Sequence, residues 1–393
     1  MTTLYLIRHG EAEGNLYRRA QGHYDACITA LGVEQIQALA ERFRDIPIDA
    51  LWSSDLVRTQ STAAAILRYH PHLTMHTTPA LREIDVGVWE DVPWGGIARS
   101  YPEELSYFDD DPEKWSVPGG EPFAAFTERI YEAVRSIGEA YDGKTVAVVS
   151  HGLAIRALLC RLFGIRSENI RTLPHGDNTA VSLLTWEDGA LSVHSYNDAS
   201  HLEGGLSTFA RQRHSRPDLP TKKIYCRFEP LDPVQEAELY TRCYAETWQC
   251  SHGNLTGFSP VIYLRMAELH ARKDPQCLVK LFLGEDFAGL LELDPERGSE
   301  DGAGWITLVY VKPGLRSGRL GAQLIGHAVS HFRREGREKL CLHVSATNEA
   351  ALGFYRRMGF VKRSETKGVG GLLYLLEKDI RQHALTVADI FGK

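Results

Sequence analysis

Residues Leu4–Asn15 read LYLIRHGEAEGN, and the organisation of the first half of the chain follows from them. Thr3–Ile7 is a short apolar run rich in strand formers that stops abruptly at Arg8, His9 and Gly10, the pattern of a buried strand running into a polar loop. A basic residue, an imidazole and a glycine thus stand at the carboxyl end of a strand. In open α/β sheets that edge is where ligands bind.

Working outward, Thr29–Phe43 has apolar residues at helical spacing (Leu31, Ile36, Leu39, Phe43), and Pro47 ends the pattern. Ile48–Trp52 reads as a second strand, and Ser53, Ser54 and Asp55 offer N-cap chemistry for a helix over Leu56–Tyr69 with Arg58 in its first turn. A short strand near Thr74–Thr77 follows. Leu81–Pro122, with five glycines and several prolines, reads as one long irregular segment, and loops of that length tend to be functional. Phe123–Tyr141 is helical, and TVAVV at Thr145–Val149 is the β-branched run of a central parallel strand. It ends in Ser150, His151 and Gly152, and another helix runs through Phe163.

Alternating strands and crossover helices predict a three-layer α/β/α domain with a mostly parallel sheet. The carboxyl ends of parallel strands share one rim, so Arg8, His9, Arg58 and His151 are expected to meet there despite their separation in sequence. Two guanidiniums match a phosphate bidentately, and imidazoles add a donor or a nucleophile. The ligand this predicts is a phosphoryl group.

Composition narrows the alternatives. The 393 residues suggest two domains, and 44 Lys+Arg against 51 Asp+Glu give a net charge of -7, without the basic footprint of a nucleic-acid binder. The seven cysteines are scattered and never spaced CxxC, which argues against a disulfide framework or zinc cluster. No window approaches the ~20 apolar residues of a membrane span. A reduced, cytoplasmic protein with no membrane partner is expected.

The blocks RHGEAEGN, SSDLVRTQSTA, LREIDVGVWE, VPGGE, VVSHG and NDASHL, in order across residues 1–205, resemble the histidine phosphatase (phosphoglycerate mutase-like) superfamily. The resemblance implies that His9 attacks phosphorus, that Arg8, Asn15, Arg58 and His151 hold the phosphoryl oxygens, and that Glu83 is the general acid, with no cofactor. Asp85 and Glu90 stand close enough to Glu83 to compete for its role, and a salt bridge to Arg82 or Arg99 is the plainer alternative. His23, His175 and His201 read as structural or rim residues. Ala12 and Gly14 follow RHG where mutases of the superfamily carry Ser and Trp, and Glu90–Trp115 is acidic where they carry a basic insertion, which favours hydrolysis of a small phosphomonoester over mutase chemistry.

Residues 206–222 are polar, basic and proline-containing and read as a linker. Beyond it come a strand at Ile224–Phe228, helices at Pro233–Tyr244 and Val261–Arg272, a hairpin of Leu278–Leu283 with Phe287–Leu293, and a strand at Trp305–Val311. VKPGLRSGRLGA then leads into a helix from about Arg319 to Phe332, and a glycine-containing turn at a helix N-terminus cradles a pyrophosphate. A strand at Lys339–Val344, Asn348 and the helix AALGFYRRMGF complete a pattern that resembles the GNAT superfamily of N-acetyltransferases, with the mixed sheet of that fold, over residues 223–380, leaving 381–393 as a tail. The resemblance implies acetyl-CoA as co-substrate, its pyrophosphate on Arg316, Ser317, Gly318, Arg319, Gly321 and Ala322, its pantetheine along Val311, Asn348 nearby, and Tyr355 as the acid for the departing thiolate. Arg319 stands where the family usually has glycine. The plainer readings are a core tyrosine for Tyr355 and a helix N-cap for Asn348. Glu292 is the candidate base toward an amine acceptor. Neither mechanism calls for a metal, and the sequence leaves the oligomeric state open.

The expectation is a bifunctional enzyme, a phosphomonoesterase joined to an acetyltransferase. The alternatives are a phosphoglycerate mutase-type phosphoryl transferase, or a regulatory protein in which one half only binds its ligand.

Overall fold

The computed structural model describes residues 1–214, 226–316 and 318–392. The chain separates into two compact α/β units, one built on the first half and one on the second, with the residues from Gln382 onward counted in the first and Pro93–Gly96 in the second.

In the first unit the elements run β1 (Thr2–Arg8), α1 (Glu13–Tyr17), α2 (Ala30–Phe43), β2 (Ala50–Ser54), α3 (Val57–Ile66), β3 (Met75–Thr78), α4 (Trp94–Ser100), α5 (Pro102–Asp110), α6 (Phe123–Ala140), β4 (Thr145–Ser150), α7 (Gly152–Leu162), β5 (Val181–Glu187), β6 (Ala190–Asp198) and α8 (Thr208–His214). The sheet has the order β3-β2-β4-β1-β5-β6, and β3, β2, β4 and β1 are parallel. β5 and β6 extend it antiparallel.

β1 lies inside this sheet because its side chains alternate between two buried layers. Ile7 packs with Leu39, Phe43, Ala63 and Ile66 of α2 and α3, while Leu4 faces Gly138 of α6 on the opposite side. A Leu51→Ala or Phe43→Ala truncation in such a core costs about 2–5 kcal/mol. The register that this core fixes sets Arg8 beside Ser150 and Ser53 beside Val149, so the polar residues after β1, β2 and β4 emerge on one rim.

Three expectations change. The long segment before α6 is not uniformly irregular: it folds α4 and α5, the latter started by Pro102 with Glu103 and Glu104 in its first turn, where acidic side chains suit the helix dipole. Trp89, Tyr101, Phe108 and Trp115 pack edge-on or tilted against one another and give the segment its own core. The N-cap of α3 is Leu56, without a side-chain cap; Ser54 instead accepts the Leu56 amide, and Asp55 turns to Arg82. The first part of the expected linker is structured, because the Gln35 amide donates to the Leu206 carbonyl and the Thr208 hydroxyl, and Thr208 opens α8. Most of the remaining linker residues and the start of the expected next strand lie outside the described residues.

The second unit runs β7 (Cys226–Pro230), α9 (Ala237–His252), α10 (Pro260–Lys273), β8 (Leu278–Leu283), β9 (Asp286–Asp294), β10 (Ala303–Val311), α11 (Leu320–Arg334), β11 (Lys339–Ser345), α12 (Glu349–Arg357), β12 (Val361–Gly368) and β13 (Gly371–Asp379). Among the described residues its strands take the order β12-β13-β11-β10-β9-β8-β7, and only β10 and β11 are parallel. That parallel pairing covers Ala303–Ile306 against Lys339–Leu342 and then stops, while β10 continues to Val311 against β9 across a bulge. Thr307–Val311 therefore has no ladder partner on the β11 side among the described residues. The first helix of this unit runs from Ala237 to His252, longer than its apolar pattern suggested, and ends on Gly253 in the left-handed region.

The expected C-terminal tail is also built in. Thr386 and Asp389 form a capping box for α13 (Val387–Phe391). Ile390 packs among Ile36, Ala40, Ala64 and Ala65, and the Leu385 amide donates to the Ser61 hydroxyl at 2.8 Å.

Candidate active site

On the rim of the first unit, His9 follows β1 directly and is 3% exposed. Its Nδ1 lies 2.7 Å from the Gly10 carbonyl. A carbonyl only accepts, so Nδ1 carries the proton and Nε2 keeps its lone pair. Burial, then the Arg58 and Arg8 charges, push the His9 pKa well below 6.5 and hold the ring neutral. Gly10 is required here, since a Cβ would meet the Ile36 methyl at 2.8 Å and the Gly32 carbonyl at 3.2 Å.

His151 follows β4, and its ring centroid lies 5.3 Å from that of His9. It is fully buried, neither ring nitrogen has a hydrogen-bond partner, and burial followed by Arg58 depresses its pKa well below 6.5. Arg58, also fully buried, donates to the Tyr24 and Gly22 carbonyls at 2.9 and 2.7 Å, and Arg8 donates to the Gly176 carbonyl at 2.6 Å. The Nε of each guanidinium is buried without a partner. Burial lowers the Arg58 pKa to about 10, which still leaves it cationic at neutral pH. Gly152 makes room for Arg8: a Cβ there would sit 3.1 Å from its Nε. Buried donors and charges gathered without partners in one place have the character of an anion site.

Asn15 accepts the Ala12 amide at 3.0 Å, closing the first turn of α1. Glu83 is held by the N-terminus of α7, accepting from the Leu153 and Ala154 amides at 2.9 Å each. Burial raises its pKa against those amides and Arg58, so the protonated form is more accessible than for an ordinary glutamate. The Arg82 alternative is excluded, because that guanidinium grips Asp55 with two bonds of 2.6 Å. The rivals are committed elsewhere: Glu90 accepts the Gly22, His23, Tyr24 and Val86 amides, and Asp85 holds the Gly87 amide and pairs with His23.

In the second unit, α11 begins at Leu320 with Arg319 as its N-cap residue, at φ 63 and ψ 10. Arg319 thus holds the left-handed conformation that glycine adopts without penalty, which accounts for the family's usual glycine at this position. The first-turn amides of α11, including Gly321 and Ala322, have no intrahelical acceptors, as at any helix start. Gly321 serves packing, since its Cβ would meet the Phe354 ring at 3.0 Å. Arg316 donates to the Val311 carbonyl at 3.0 Å. Gly318 lies in the same turn, and Ser317 lies outside the described residues. The open edge of β10 and this helix start fit an extended acyl-CoA, whose amides need a strand edge and whose pyrophosphate needs free N–H groups.

Asn348 caps α12, accepting the Ala351 amide at 3.1 Å. Tyr355 is held protonated by burial, which raises its pKa. Glu292 is buried in a polar cluster: one carboxylate oxygen accepts from Tyr240 at 2.9 Å and the other faces His270 Nδ1 at 2.8 Å.

A family model for the histidine phosphatase superfamily (branch 1) matches residues 4–199. The "Probable phosphoglycerate mutase GpmB" of Yersinia pestis is 33% identical over 208 residues, 52% of this chain and 96% of that protein. The chain belongs to the histidine phosphatase superfamily. A second model, the acetyltransferase (GNAT) family, matches residues 237–360, so a GNAT domain follows the histidine phosphatase domain in one chain. Among solved structures, Bacillus stearothermophilus YhfR aligns with a TM-score of 0.50 at 30% identity, covering 52% of this chain and all of that one.

The histidine phosphatase rim also contains residues that the sequence reading missed. Asn178 is fully buried; its amide donates to the His9 carbonyl at 3.0 Å and approaches Asn15 Oδ1 at 3.5 Å, tying two rim residues together. Thr62 accepts the Gly10 amide at 3.0 Å and fixes the loop behind His9. The turn-forming DNT at Asp177–Thr179, just before β5, was the available signal for Asn178. His23, His175 and His201 contact Glu83, Arg156 and Thr179 respectively, at the edge of the rim. None of the described helices is long and apolar enough to cross a membrane.

Proposed function

We propose that the first domain hydrolyses a small phosphomonoester through a phosphohistidine, and that the second transfers an acetyl group from acetyl-CoA to an amine. The observation that carries the first reading is His9, neutral with Nε2 free, beside half-buried Arg8 and buried Arg58 and His151, whose Nε or ring atoms lack partners. Nε2 attacks phosphorus as the bond to the leaving oxygen breaks. Arg8, Arg58, His151 and Asn15 hold the equatorial oxygens, offsetting charge that develops there. Glu83 delivers its proton to the leaving oxygen. It then takes one from water, which attacks the phosphohistidine and returns His9 to its neutral form with release of phosphate.

Hydrolysis is favoured over mutase chemistry even though the Yersinia relative bears a mutase name. The segment where a second phosphate would be clamped carries Asp109, Asp110 and Asp111, and the first two face Arg171. Phosphate release from an aryl phosphate, abolished in His9→Ala, tests this reading; isotopic label moving between positions of a bisphosphate with little phosphate release would replace it with the mutase.

In the GNAT domain, the first-turn amides of α11 would hold the pyrophosphate, the Arg316 and Gly318 amides being already bonded to the Pro313 and Leu315 carbonyls, and the β10 edge near Val311 would hold the pantetheine. When bound, acetyl-CoA supplies the activated acyl group. Tyr355, kept protonated by burial, is the group to protonate the thiolate. Glu292 is the candidate base, acting through its contacts with Tyr240 and His270. A rise in melting temperature with acetyl-CoA, absent with acetate and AMP, tests the second reading.

A further inference from the structure

Beside the Glu292–His270 pair, and outside the residues already assigned, two short-range pairs converge in the second unit. One is Asp274 and Cys277, three residues apart across a turn in which the Cys277 amide donates to the Asp274 carbonyl at 2.9 Å. The other is His331 and Glu335, four residues apart at the C-terminal end of α11, a spacing that stacks both side chains on one face. Cys277 Sγ lies 3.5 Å from His331 Nε2. One ligand atom each from Asp274, Cys277 and His331 can be chosen so that all lie within 4.8 Å of one another.

We infer that Asp274, Cys277 and His331 form a binding site for a zinc-class divalent cation, with Glu335 completing the set. Bonds of ~2.3 Å to sulfur and ~2.0 Å to nitrogen at a tetrahedral angle put the two ligand atoms ~3.5 Å apart, and the observed separation is 3.5 Å. Thiolate, imidazole and carboxylate together select zinc over magnesium or calcium. The Asp274 carboxylate is partly fixed, since its Oδ1 accepts the Gln276 amide at 2.7 Å, while its Oδ2 lies 3.8 Å from His331 Nδ1, the ring nitrogen that does not face Cys277, so it completes the set by turning toward the sulfur. Glu335 Oε1 approaches His331 Nε2 to 3.6 Å while its Oε2 lies 3.8 Å from Arg337, so it would turn from that arginine to become the fourth ligand.

Burial separates this reading from a nucleophilic Cys–His–Asp arrangement. Cys277 is wholly inaccessible and His331 nearly so, so no substrate reaches the sulfur. The two carboxylates are about one-third exposed and form the mouth, by which a hydrated cation enters. Binding exchanges the thiol proton for the metal and releases that proton to water. The cation would then join the turn before β8 to the last turn of α11, the helix whose first turn is the proposed pyrophosphate cradle.

The test uses the full chain, stripped of metal with a chelator and titrated with cobalt(II). A near-ultraviolet thiolate-to-cobalt band should saturate at one equivalent, be absent in Cys277→Ser, and be displaced by zinc. No band in the wild type, or an undiminished band in Cys277→Ser, overturns the site. Because a buried variant can fail to fold, Asp274→Asn and Glu335→Gln, at the exposed mouth, supply the second arm. Each should weaken cobalt binding roughly 10- to 100-fold with the band retained; unchanged affinity in both overturns the ligand set.

Discussion

On the proposed reading, the two domains would meet a phosphate-bearing ligand in opposite ways. At the histidine phosphatase rim, the proposed binding atoms belong to side chains: His9, Arg58 and His151 are buried almost completely, and several of their nitrogens lack partners. In the GNAT domain the corresponding atoms would be main-chain amides at the start of α11 and along the open edge of β10, while the side chains nearby are already engaged, Asn348 as a cap and Arg316 on the Val311 carbonyl. A side-chain site depends on residue identity and collapses when one residue is changed. A backbone site depends on conformation, tolerates Arg319 where a glycine is usual, and is damaged by whatever alters φ and ψ.

That contrast orders the predictions by size. Glu83→Gln should lower turnover roughly 10²- to 10⁴-fold on alkyl phosphates and far less on aryl phosphates, whose leaving groups need no proton. Because the Glu83 pKa is raised and the proposed mechanism uses its protonated form, wild-type activity should fall as pH rises past that pKa. The fall should vanish in the variant, while the depressed His9 pKa keeps the nucleophile neutral on the acid side. A pH–rate profile checks both limbs. Arg58→Met should cost about 10²- to 10³-fold in kcat/KM and leave acetyl-CoA binding untouched.

In the second domain, Arg319→Gly should raise stability by about 1–2 kcal/mol by relieving a left-handed arginine, with acetyl-CoA affinity preserved. Weaker binding by calorimetry would mean that the guanidinium itself holds the ligand and would erase the contrast. Asn348→Ala should cost about 1 kcal/mol of stability as a lost N-cap, with little change in the KM for acetyl-CoA. The burial of the rim also makes the first domain acid-sensitive. His201 titrates near 4 when folded and 6.5 when not, so the unfolded chain binds more protons between those values; the stability it contributes is complete above 6.5 and lost as pH falls toward 4. Melting temperatures measured across that window check the sign, and His201→Gln should flatten the slope.

How much of this was legible in the sequence follows from the same distinction. Strand-end residues such as Arg8, His9 and His151 could be brought together on paper, because parallel topology and the β1–β4 register force them onto one rim. Glu83 could be selected only by resemblance; what separates it from Glu90 and Asp85 is which backbone amides each carboxylate meets, a tertiary fact. Asn178 was missed since one asparagine in a turn looks like any other until its amide is seen on the His9 carbonyl. The tail resisted reading for a similar reason, its short helix α13 being stabilised by distant Ile36 and Ala65. The Asp274–Cys277 and His331–Glu335 pairs are each ordinary alone, and 54 residues separate the thiol from the imidazole.

Everything about the first domain turns on a covalent bond between phosphorus and the ring nitrogen of His9. Rapid quenching of the wild-type chain during turnover of a labelled phosphomonoester should trap an acid-labile, alkali-stable phosphoprotein whose label maps to His9 and disappears in His9→Ala. Hydrolysis proceeding with no such adduct, or an adduct that survives in His9→Ala, would contradict the account.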